Sequence, residues 1–201
     1  MTVTDSNGFM SEQDLLRRTP DLRSDADIRL VTLEDGSGRG QRLLIGRNAE
    51  GVCFEVAVDR GFDISSLSFK GTNIGWQSSV QMAFPTRDPD SEDGWGFFRN
   101  FDGFMVTCGL DHYSRPYEAD VSHYNYPHIA KRKMPHHGRI STEKARLVGY
   151  EVDHASREIV CKGVVRQASV FGEALELRRR ITWPIFGLSL GIEDTVTNRS
   201  F

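Results

Sequence analysis

An all-β protein, a large antiparallel β-sandwich preceded by a short N-terminal helix, is the fold class this sequence predicts. Three observations lead there. Apolar and polar residues alternate at period two in many short runs. Short turns rich in Gly, Asp and Ser join the runs. No long helical period falls between them, which argues against a parallel α/β sheet.

The elements follow in order. SEQDLLRR, from Ser11, reads as a helix with Ser11 as N-cap, and Pro20 ends it. Residues 1–24 form this helical segment and 25–201 the sandwich. IRLVTL (28–33) and RLLIG (42–46) flank EDGSGRGQ as in a hairpin. VCFEVAV then puts Val52, Phe54, Val56 and Val58 on one face, and ISSLSF (64–69) follows. In the second half, ARLVGYEV (145–152), REIVCKGVVRQ (157–167), EALELRRRITW (173–183) and LSLGIEDTVTN (189–198) make a meander. Leu175, Leu177, Arg179, Ile181 and Trp183 share one face, so one member of Arg178-Arg179-Arg180 points inward.

Composition narrows the function classes. The chain has 201 residues and a net charge of −3, and its basic residues are scattered, so no nucleic-acid partner is expected. No stretch could span a membrane and the N-terminus lacks a signal-peptide pattern. Cys53, Cys108 and Cys161 are widely spaced, as reduced and mostly buried thiols of a cytoplasmic protein would be. Nothing beside Cys108 argues for a lowered pKa.

Residues 76–141 differ in kind. Gly, Asp, Pro, His and aromatics dominate, and GFMVTCG (103–109) is the strand-like part. Trp76, Trp95, Phe97, Phe98, Phe101, Phe104, Tyr113, Tyr124 and Tyr126 argue against disorder, so a functional loop region is expected. Within GWGFFRNFDGFMVTCGLDHY, Arg99, Asn100, Asp102, Asp111 and His112 sit among aromatics and glycines. Aromatic faces beside fixed polar groups suit a sugar. An aromatic satellite core with Arg99 paired to Asp102 fits the pattern equally well.

PHHGRIS (135–141) belongs to the same region, and five of the six histidines fall between 112 and 137. Adjacent histidines on an extended chain point to opposite faces, so His136 and His137 are not expected to share an ion. There is no HExxH, no paired-cysteine motif and no Gly-rich phosphate loop. No metal and no cofactor are expected. His123, His128 and His136 read as loop hydrogen-bonding groups.

VDRGFDISSLSFKGTNIGW, GWGFFRNFDGFMVTCGLDHY and HHGRIS, in this order, resemble an uncharacterised branch of the galactose-mutarotase-like (aldose 1-epimerase) superfamily, from about residue 28 onward. The resemblance implies the large β-sandwich of mutarotases and a sugar ligand. His137-Gly138 matches the family's histidine-glycine pair at the sugar pocket, and Arg139 resembles the arginine that follows it. The resemblance makes His137 and His112 the catalytic candidates. Arg99, Asn100, Arg139, Asp111, Arg60, Trp95 and Trp76 are the substrate-binding ones.

Family members use a second histidine and a late glutamate beyond a segment like EDTVTNRSF, and no glutamate follows Glu193 here. The expectation is therefore an incomplete sandwich that binds sugar weakly and does not speed mutarotation alone. With the remainder supplied it would be an aldose 1-epimerase-like isomerase of carbohydrate metabolism. The competing expectation is a non-catalytic carbohydrate-binding module or inactive fragment. Unpaired strand edges add an expectation of self-association.

Overall fold

The structure is a computed structural model and describes residues 12–84 and 87–200. Helix α1 (Glu12–Leu16) lies where a helix is predicted; its proposed cap, Ser11, is outside the described residues. Strands β1 (Asp27–Thr32), β2 (Arg42–Arg47), β3 (Val52–Ala57), β4 (Asp63–Phe69) and the short β5 (Thr72–Asn73) form one antiparallel sheet in sequence order. A hairpin of β6 (Tyr117–Asp120) and β7 (Lys131–Met134) stands apart. Strands β8 (Ala145–Asp153), β9 (Glu158–Ala168), β10 (Ala174–Pro184) and β11 (Gly191–Asn198) form a second antiparallel sheet, also in sequence order.

The sheets enclose one core because each supplies an alternating apolar face. Phe54, Val56, Phe62 and Ile64 from the first meet Ile159, Cys161, Val165, Leu177, Ile181 and Trp183 from the second. Phe54 and Trp183 stack at 3.5 Å between ring centroids. Arg179 is indeed the inward member of its run. It bonds Asp194 at 2.8 Å and Thr107 Oγ1 at 2.6 Å, so its charge is not buried alone. On β11 the same face carries Ile192 and Val196, both exposed at the sheet edge.

The structure corrects three sequence expectations. GFMVTCG is not a strand: it is tied by isolated bridges, Ile64 to Met105 and Trp76 to Gly103. Gly103 and Gly109 take φ of +117° and +93°, which breaks an extended run. The Thr107 amide donates to Asp63 Oδ1 at 2.7 Å instead of to a strand. Cys53 is exposed, not buried, because it alternates out of phase with Val52 and Phe54. Hairpin β6–β7 has no counterpart in the sequence reading because YEAD and KRKM are charged and show no apolar alternation. Lys131 bonds Glu118 at 2.8 Å across it, and Arg132 ties it to Glu173 at 3.0 Å.

Candidate functional site

The loop Pro135–Ile140 is folded back on itself. His137 has φ +59° and Gly138 φ +77°, so the chain is not extended here and the His136 and His137 rings lie side by side at 3.8 Å. The sequence argument that they must face apart fails for this reason. Among the described residues no group of three or more His, Cys, Asp or Glu side chains could hold a metal ion.

Backbone bonds fix His137. Its N–H donates to the Ser114 carbonyl at 2.9 Å, and its own carbonyl accepts from Gly109 N–H at 2.9 Å. The Ser114 N–H donates to His137 Nδ1 at 3.2 Å. Rings of Phe97 and Tyr113 flank His137, each at 5.1 Å. Trp95 and Phe98 lie against His136 at 4.9 and 5.0 Å. His112 bonds the Arg115 carbonyl through Nε2 at 2.7 Å, with Tyr117 4.5 Å away. Trp95, Phe98, Tyr113 and Tyr117 all keep an exposed face, which makes a rim of aromatic surface around the imidazoles.

Burial, then the neighbouring His136 and His112, lowers the His137 pKa; burial is also the largest cause of the lowering at His136. Both rings are thus held toward neutrality. Beneath them, Arg139 grips Asp90 through Nε at 2.9 Å and Nη2 at 2.6 Å, and reaches Asp111 through Nη1 at 3.3 Å. Asp111 Oδ1 has no partner, and burial raises the Asp111 pKa against the opposing pull of Arg139. Gly138 is required here: a Cβ would stand 2.5 Å from Asp111 Oδ1, 2.7 Å from the Gly109 oxygen and 2.9 Å from the His112 oxygen.

His137, His112, Arg139, Asp111 and Trp95 are therefore neighbours. Four other candidates lie elsewhere. Arg99 pairs with Glu92, not Asp102, and lines a separate groove with Phe84, Arg87 and Asp88. Asn100 is buried and clamps the Arg87 backbone with two 2.9 Å bonds. Arg60 is 1 % exposed and donates to the Asp102 carbonyl at 2.6 Å, so it is a core group with no open face. Trp76 packs on Phe101 at 4.9 Å. Cys108 is raised to about 11 by burial and then by Asp63, so it is a thiol at neutral pH. Asp90, Ser114 and Tyr117 escape sequence reasoning, since they reach the site through loop geometry.

A family model described as Domain of unknown function (DUF4432) matches residues 38–201. A search of the curated proteins finds no match. Among solved structures, a Klebsiella pneumoniae protein provisionally described as an aldose 1-epimerase is similar with TM-score 0.74 and 22% identity, over 87% of this chain and 44% of that one. Galactose 1-epimerase from Lactobacillus acidophilus NCFM is similar with TM-score 0.47 and 13% identity, over 80% of this chain and 46% of that one. The chain thus spans less than half the length of either structure. It belongs to the DUF4432 family, an uncharacterised branch with the galactose-mutarotase-like β-sandwich fold.

Proposed function

We propose that this chain binds a sugar at the His137 face, and that His112 moves a proton and His137 donates a hydrogen bond at its anomeric centre, in the reaction of an aldose 1-epimerase. One observation carries the reading: the two imidazoles present opposite hydrogen-bonding atoms. A backbone N–H can only donate, so His137 Nδ1 accepts from Ser114 and the proton of the neutral ring sits on Nε2. A carbonyl can only accept, so His112 Nε2 carries the proton toward Arg115 and Nδ1 keeps a lone pair. One ring offers an N–H, the other an acceptor.

Anomer exchange needs both. His112 Nδ1 takes the proton of the anomeric hydroxyl, while His137 Nε2–H donates a hydrogen bond that stabilises the charge developing on the ring oxygen. The bond between the anomeric carbon and the ring oxygen breaks, an aldehyde forms and rotates, and on closure the His112 imidazolium returns its proton to the new anomeric oxygen. The lowered pKa of His137 keeps its ring neutral near pH 7, as a hydrogen-bond donor through Nε2 requires. Exposed faces of Trp95 and Tyr113 give the sugar's C–H face something to stack on. The likeness to the Klebsiella pneumoniae protein supports the reading at the level of the fold.

The test is magnetisation exchange between the α and β anomers of D-glucose and D-galactose. Wild-type protein should speed exchange, and His137→Gln or His112→Gln should each remove roughly 10²–10⁴-fold of acceleration. Exchange no faster than in buffer defeats the catalytic reading. The lowered His137 pKa, which disfavours a protonated acid at the site, favours one second reading, sugar binding without turnover. Sugar-induced shifts at Trp95 and Tyr113 without faster exchange would select it.

A further inference from the structure

We infer that the cavity beside this face, between the β6–β7 hairpin and the ends of β10 and β11, holds the body of a neutral polyhydroxylated ligand and rejects a phosphorylated one. This deepens the sugar reading above and rests on it. The cavity has a volume of about 330 Å³, and Asp111, Tyr117, Tyr124, Arg132, Glu173 and Asn198 are among its lining residues. That is the scale of a small-ligand pocket. Tyr117 is a shared wall, with its ring 4.5 Å from His112.

The hydrogen-bonding inventory decides the ligand class. Both nearby guanidinium charges are already paired, although Arg132 uses only its Nη1 among the described residues. Arg132 donates through Nη1 to Glu173 Oε2 at 3.0 Å and to the Tyr126 hydroxyl at 2.8 Å. Arg139 is held by Asp90 and Asp111. Acceptors are spare too. The Glu173 carboxylate is 6 % exposed, and its hydrogen bonds among the described residues all use Oε2, which leaves Oε1 open. Asp111 Oδ1 is buried without a partner, as are the Nε2 donor and Oε1 acceptor of Gln167, which is not among the cavity's lining residues. Gln167 lies near enough to favour the charged form of Asp111, though no hydrogen bond of normal geometry forms.

A ligand entering here meets spare acceptors on Glu173 and Asp111 and spare N–H groups on Arg132, and hydroxyl groups, which both donate and accept, can serve all three. A phosphate would bring only acceptors and negative charge beside Glu173 and Asp111, and the Arg132 guanidinium in the lining is already neutralised by Glu173.

The experiment follows backbone amide shifts of the full chain on titration with D-glucose and D-glucose 6-phosphate. D-glucose should move the amides of Ala119, Leu175 and Asn198, and the 6-phosphate should bind there at least about tenfold more weakly. The outer face of the second sheet carries Lys144, Arg146 and Arg166 around a concavity with Val148 and Val164. Phosphate shifts confined to Val148 and Val164 uphold the exclusion. Glu173→Gln frees Arg132 and should narrow the discrimination; if that variant fails to fold, the wild-type ratio alone decides. Equal or tighter 6-phosphate binding at Ala119, Leu175 and Asn198 overturns the inference, as does the absence of any D-glucose shift there. Cavity shifts that persist in His137→Ala, or in a wild type that does not speed anomer exchange, uphold it even where the catalytic reading fails.

Discussion

Replacing Gly138 with alanine tests how tightly the His137 loop is built. Two costs add. The φ of +77° strains any residue with a Cβ, at about 1 kcal/mol. The new Cβ also meets Asp111 Oδ1 at 2.5 Å and the carbonyl oxygens of Gly109 and His112 at 2.7 and 2.9 Å. Two of these three atoms are backbone, so relief requires moving the loop, and overpacking of this kind costs roughly 1–3 kcal/mol. The expected loss is about 2–4 kcal/mol in all. Gly71 is the internal control, with φ +80° and nothing within 4 Å of the position a Cβ would take. Gly71→Ala should cost only the strain, about 1 kcal/mol. With an m-value of about 2 kcal/mol per molar urea, the two midpoints should fall by about 1–2 M and about 0.5 M. Equal shifts for the two variants would refute the close approach of Gly138 to Asp111 and the 109–112 loop.

Other outcomes follow from the same geometry. Phe54→Ala empties the ring stacked on Trp183 and should cost about 3–5 kcal/mol in urea unfolding; a loss under about 1 kcal/mol would contradict the packing. Arg139→Ala leaves the Asp111 carboxylate buried without its ion pair and should cost about 3–5 kcal/mol. Asp111→Asn added to Arg139→Ala should restore part of that, and a double variant weaker than the single one would argue against the pair. Since His136 and His137 have folded pKa values below the unfolded 6.5, the unfolded state takes up protons first. Their contribution is present above about pH 6.5 and is lost as pH falls through the lower folded values. Urea midpoints between pH 7.5 and 5 should therefore drop more for the wild type than for the His136→Gln, His137→Gln double variant; parallel profiles would contradict it.

The sandwich strands could be read from the sequence because one face of each is buried, and burial forces the alternation seen in β3, β9 and β10. Hairpin β6–β7 could not, since its charged residues show no apolar alternation and ion pairs, Arg132 with Glu173 and Lys133 with Asp93, reach its neighbours. GFMVTCG misled because its apolar residues pack from a chain kinked at Gly103 and Gly109. At the site, the His137-Gly138-Arg139 run identified the loop, but the pairing of the two histidine rings depends on a positive φ at His137 that no pattern announces. Arg60 illustrates the opposite case: the family resemblance offered it as a ligand contact, yet here it ties loop carbonyls inside the core. Glu173 and Arg132 are 41 residues apart and meet only after folding. Gln167 was legible in principle, as a polar residue in phase with Cys161 and Val165 on the buried face of β9.

The central claim, that a sugar meets a donor on His137 and an acceptor on His112, is tested most directly by long-range ¹H–¹⁵N correlation spectra of the histidine rings. Without sugar at pH 7.5, the His137 ring should be neutral with its proton on Nε2, and His112 Nε2 should carry the proton bonded to the Arg115 carbonyl. On titration with D-glucose, His137 Nε2 and His112 Nδ1 should shift together, with one common binding curve, while His112 Nε2 and His137 Nδ1 keep their bonds to Arg115 and Ser114. A proton on His137 Nδ1 in the free protein, or sugar binding that moves neither ring, would contradict the account.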